Sequence, residues 1–248
     1  MALLRTANPA LRPKTFEGVR AGADPAVSMT LQGTVNKAGI LLTLVAICAI
    51  YTWNAYHTDP AASMAWLLVG LIGGLIVAMV TIFKKEWAAF TAPAYAVLEG
   101  LMLGALSASF EARYPGIAIQ AVGLTIGTLL AMLIAYTSGL VKVTQNFRMG
   151  VVAATGGIFL VYLATMGLGF FGIHIPYIYD TGLVGIGFSL FVVVIAALNL
   201  VLDFDLIDSG VAAGAPKYME WYCAFGLLVT LVWLYIEMLR LLSKINRH

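Results

Sequence analysis

"GLVGIGFSLFVVVIAALNLVLDFDLIDSG" (182–210) opens as an apolar run long enough to cross a bilayer and ends in three carboxylates, Asp203, Asp205 and Asp208. A span of about 20 apolar residues covers a hydrocarbon core of about 30 Å. Working outward, six more runs of this kind appear, at roughly 38–56, 64–83, 92–110, 117–141, 150–173 and 218–242, with this one at 182–203. Over the 248 residues, 61% are hydrophobic, only 10% are charged, and the mean hydropathy is +0.94. A soluble domain with so few charges would lack polar surface to cover itself. The reading is an all-α membrane protein, a bundle of seven transmembrane helices, because helices satisfy their own backbone groups in lipid.

Composition excludes other classes. A formal charge of +2, with scattered basic residues, gives no nucleic-acid footprint. Cys48 and Cys223 lie inside apolar runs and read as small buried hydrophobes. No P-loop, H-E-x-x-H or Cys/His cluster is present, and Ser189 in "GFSLF" lacks a nucleophile-elbow context. Tyr179-Asp180 has no second aspartate at matching depth, and His57, His174 and His248 are isolated. The expectation is a protein that is not an enzyme and has no resident cofactor.

Residues 1–35 are polar, broken by Pro9, Pro13 and Pro25, and read as a cytosolic tail rather than a signal peptide. Its "NPAL" and "TFEG" segments suit a docking arm. Residues 36–248 form the transmembrane domain. With the N-terminus inside, ten of the fourteen Lys and Arg residues fall on the inner side. Arg113, Arg240, Lys244 and Arg247 fall outside and break the rule. A re-entrant last segment would remove the conflict, but 221–242 is long enough to cross. Gly100-x-x-x-Gly104 and Gly123-x-x-x-Gly127 predict faces where helices approach closely.

In this orientation Asp203 lies at the cytosolic mouth. It directly follows Leu200-Val201-Leu202 and shares a helix face with Asn199, four residues earlier. A partly buried acid needs a partner, a shared proton or a cation. Asp205 and Asp208 read as solvated residues just beyond the helix. Candidate counter-charges at that depth are Lys84, Lys85, Lys142 and Arg148, each of which also suits an inner-face anchor. Glu99 in "LEGLMLG" is the other acid on the inner half. Glu237 lies near the outer surface and is spaced to pair with Arg240.

Long phrases carry a resemblance: "MTLQGTVNKAGILL" (29–42), "FKKEWAAFTAPAYAVLEGLMLGALSASFE" (83–111), "YPGIAIQAV" (114–122), "VKVTQNFRMGVVAATGGI" (141–158), "IAALNLVLDFDLI" (195–207) and "GAPKYMEWYCAFGLLVTLVWLYIEMLRLLSK" (214–244). Over about 29–245 the chain resembles the bacterial branch of the Bax inhibitor-1-like family. The resemblance implies a seven-helix fold with a central last helix, in the cell inner membrane. For some members it implies a pH-sensitive calcium leak in which two aspartates share a site. Asp203, with Ile207 four residues on, matches the first. The second lies in the family ten residues before an Arg; counting back ten from Arg240 reaches Thr230. The paired-carboxylate sensor is therefore not intact. Expected pathway residues are Asp203, Glu99, Thr230 and Asn199, with Glu99 standing in as second carboxylate and Ca2+ a transient ligand of Asp203 and Glu99. The alternative is a non-transporting regulator whose partner is another membrane protein or a membrane protease.

Overall fold

The computed structural model describes residues 28–171 and 182–247. The tail to residue 27, His174, Tyr179-Asp180 and His248 lie outside the described residues. Among the described residues seven α-helices follow in order: α1 (Leu31–Thr58), α2 (Pro60–Phe83), α3 (Ala88–Glu111), α4 (Ile117–Thr137), α5 (Gln145–Phe170), α6 (Leu183–Ala212) and α7 (Met219–Ile245). A 3₁₀ turn, Lys85–Trp87, joins α2 to α3. All seven helices are long and apolar enough to cross a membrane.

Local chemistry starts several of them. Thr30 caps α1 by accepting from the Gly33 amide at 3.0 Å. Asp59 caps α2 by accepting from the amides of Ala61 and Ala62, with Pro60 at the first position. Thr144 caps α5 through the Phe147 amide. The first helix thus starts inside what reads as a tail. The backbone amide of buried Met29 donates a hydrogen bond to the Ala215 carbonyl in the α6–α7 loop at 2.6 Å.

The last helix is central, with its largest buried side chains, Tyr222, Phe225, Leu234 and Leu239, packed among α1, α3, α4 and α6. The outer helices turn apolar side chains outward: Ile47, Leu75 and Phe159 are exposed, as lipid contact requires. Small residues set two crossings. A Cβ on Gly100 would come 2.6 Å from the Val45 carbonyl, and one on Gly104 would come 2.7 Å from the Ala49 Cα, so α3 lies directly on α1. On its other side, a Cβ on Gly70 of α2 would meet the Leu98 carbonyl at 2.5 Å. Gly123 and Gly127 behave differently. Nothing stands within 4 Å of a Cβ at either position. The expectation of a tight crossing there is corrected: spacing alone does not say whether a small-residue face meets a helix or lipid.

The sixth span also differs from its sequence reading. The helix does not end at residue 203 but continues to Ala212, so all three aspartates are helical. Asp203 lies nine residues before that end, about 14 Å at 1.5 Å per residue.

The crossings give a direct test. Gly104→Val forces a side chain against α1 backbone and should destabilise by about 1–3 kcal/mol, the cost of overpacking. Gly123→Val should stay within about 0.5 kcal/mol of wild type. Thermal unfolding of the two variants in one detergent compares them; equal losses would contradict the packing.

Candidate functional site

Successive helical residues advance by about 100°, so Asp205 and Asp208 lie roughly 200° and 140° around α6 from Asp203. The three acids therefore reach three different helices. Asp203, with no exposed surface, faces α7 and accepts from the Thr230 hydroxyl at 2.5 Å. Asp205 pairs with Arg148 of α5. Asp208 accepts from the Tyr136 hydroxyl of α4 at 2.7 Å. The reading of Asp205 and Asp208 as residues beyond the helix is thus corrected, although Asp208 is exposed, as expected of a solvated acid, and Asp205 is half-buried; the α6 segment that carries them is held by α4 and α5.

Asn199, one turn before Asp203, is also buried. Its amide donates to the Ile195 carbonyl at 2.8 Å and to the Thr155 hydroxyl of α5 at 2.9 Å. A hydrogen bond to a charged group is worth about 1.5–3 kcal/mol, so Thr230 offsets part of the cost of burying Asp203. Fully buried Cys223 lies within electrostatic reach of both Asp203 and Glu220.

The other candidates are distributed around this centre. Glu99 is buried in α3, but its carboxylate turns toward α2, where a Cβ on Gly74 would come within 2.8 Å of Oε1. Tyr95, one turn earlier, lies beside it. Asp203 faces Thr230 of α7. Among the described residues no group of three His, Cys, Asp or Glu side chains is placed to hold a metal ion. Of the expected counter-charges, Arg148 binds Asp205 rather than Asp203. The Lys85 ammonium stands 5.9 Å from the centre of the Tyr222 ring. Lys84 and Lys142 are exposed.

A second charged centre escaped the sequence reading. Glu220, fully buried in the first turn of α7, forms ion pairs with Lys37 of α1 and with Lys217, the latter at 2.9 Å. It also accepts from the Thr30 amide at 2.9 Å and the Thr30 hydroxyl at 3.0 Å. A Cβ on Gly33 would run into this carboxylate, so glycine there makes room for it. Only the i, i+3 spacing of Lys217 and Glu220 hinted at the cluster; the α1 contribution is a tertiary contact. At the other end of α7, Glu237 pairs with Arg240 at 2.9 Å and accepts from the Tyr162 hydroxyl of α5 at 3.0 Å. The i, i+3 spacing had pointed to the pair; Tyr162 had not been singled out.

Glu220→Ala strands Lys37 and the Thr30 donors. Breaking a buried ion pair costs about 3–5 kcal/mol, and the access of both lysines to water places this loss near the lower end, about 3 kcal/mol. Unfolding in detergent measures it, and a loss below about 1 kcal/mol would contradict the clasp.

Compared with known proteins, the chain matches the family model described as Bax inhibitor 1 like over residues 8–247. No curated protein and no solved structure gave a significant match. The match spans nearly the whole chain, and the seven helices around a central last one agree with it: the protein belongs to the Bax inhibitor-1-like family.

Proposed function

We propose that the protein is a pH-sensitive cation leak of the inner membrane, with its N-terminus cytosolic and Ca2+ as its favoured cargo, and that it is not an enzyme. The observation that carries this reading is Asp203, a fully buried carboxylate inside a membrane span, bonded by one hydroxyl from the facing helix. Ionisable residues in such positions are costly and mark ion or proton pathways. The carboxylate oxygens and the Thr230 hydroxyl oxygen are hard donors of the kind a divalent cation prefers. Protonation of Asp203 removes the charge that draws the cation, which couples flux to pH. The Arg148–Asp205 pair and the Tyr136–Asp208 bond tie α6 to its neighbours and are the contacts that opening would have to release.

A second reading is a non-transporting regulator that binds another membrane protein or a membrane protease. It is favoured by one feature: Asp203 has a threonine, not a second carboxylate, opposite it. One aspartate alone is a poor divalent site.

Calcium flux into proteoliposomes separates the two. The leak reading expects flux in wild type, and Asp203→Asn should reduce it more than Asp208→Asn, because electrostatic effects are stronger where water is excluded. Equal effects would contradict the assignment of Asp203, and no flux at any pH would favour the regulator.

A further expectation concerns Glu99. On this reading Asp203 carries the pH response and Glu99, whose carboxylate faces Gly74 of α2, does not, so Glu99→Gln should leave the pH profile of flux in place. Loss of that profile would bring Glu99 into the pathway.

A further inference from the structure

Four cations among the described residues lie at the membrane face opposite Lys37, Lys84, Lys142 and Lys217: Arg113, Arg240, Lys244 and Arg247. All four line a single hollow of about 300 Å³ between the end of α3 and the last turns of α7, together with Tyr114 and Ser243. A cation near a helix C-terminus is stabilised by the helix dipole. That accounts for each residue singly and not for their convergence on one space.

The neighbouring acids neutralise the hollow only in part. Glu111 spends both carboxylate oxygens on backbone amides, those of Gly116 at 2.5 Å and Ala118 at 3.0 Å. Glu237 pairs with Arg240. The polar groups are held in place: the Lys244 ammonium donates to the Gly185 carbonyl at 2.9 Å, and Arg247 Nε donates to the Tyr114 hydroxyl at 2.5 Å. Arg113 and Arg247 are exposed at the rim. At about 300 Å³ the hollow has room for a phosphate group. It sits where α3 and α7 end.

We propose that this hollow is an anion site for a phosphate group, Arg113 and Arg247 supplying charge-assisted hydrogen bonds and Lys244 the positive floor. Arginine's planar fork matches phosphate oxygens. The phosphate belongs either to an anionic lipid headgroup or to a free phosphate ion, and both present the same oxygens. The assignment is independent of whether the protein conducts ions.

The test uses the full chain in neutral detergent. Short-chain phosphatidylglycerol and phosphatidylcholine are compared by native mass spectrometry, and inorganic phosphate is titrated while thermal unfolding is followed. Wild type should retain phosphatidylglycerol over phosphatidylcholine. R113Q/R247Q should weaken this by about tenfold or more, the loss of at least one charge-assisted hydrogen bond. K84Q/K142Q, which removes two exposed cations from the opposite face, should change nothing. Displacement of the lipid by inorganic phosphate, or thermal stabilisation by phosphate alone, assigns the site to the free ion; lipid binding without either assigns it to the headgroup. Absence of binding by both probes would overturn the proposal, as would equal binding by wild type and R113Q/R247Q. Should the double variant not fold, R113E alone carries the same comparison.

Discussion

Charge in hydrocarbon without a partner is the state this fold is built to avoid. The last helix is only moderately apolar and carries Glu220, Glu237, Arg240 and Lys244. It crosses at the centre of the bundle, and partners come from α1, α5 and α6: Lys37 and Thr30 for Glu220, Tyr162 for Glu237, the Gly185 carbonyl for Lys244. On α6, Asp203 is matched in turn by Thr230 of α7. The charged residues and the central position are one fact, since a helix with four charges facing lipid would be expelled from it.

Around that core, different helices meet different demands. Glycines let α3 lie against α1 and α2, so part of the bundle is closed by backbone proximity. Polar bonds dominate elsewhere: α4 and α5 hold the end of α6 through Asp208 and Asp205. That region combines a desolvated acid with polar contacts to two neighbouring helices. The glycine-packed side has no comparable chemistry apart from Glu99 beside Gly74.

Much of this was legible in the residues. Seven spans follow from hydropathy, and burial of Asp203 follows from the three apolar residues before it. Helix ends were less legible. "DFDLIDSG" reads as an exit into water because acids rarely continue a span, yet Arg148 and Tyr136 let the helix run to Ala212. The glycine pairs illustrate the same limit, since Gly100/Gly104 and Gly123/Gly127 have identical spacing and opposite surroundings. Glu220 was overlooked because two of its partners, Thr30 and Lys37, are 190 and 183 residues away in sequence. Periodicity describes one helix at a time, whereas partners for charges are supplied by tertiary structure.

The central claim is that α7 crosses the bilayer completely, with its charged residues paired inside the bundle. It is tested most directly by sidedness. With Cys48 and Cys223 replaced by alanine, single cysteines at Lys84 and Arg247 are exposed to a membrane-impermeant maleimide in intact cells and in inverted vesicles. Complete crossing requires that the two positions be labelled from opposite faces. Labelling of both from one face would mean that α7 turns back, and would contradict a central spanning helix.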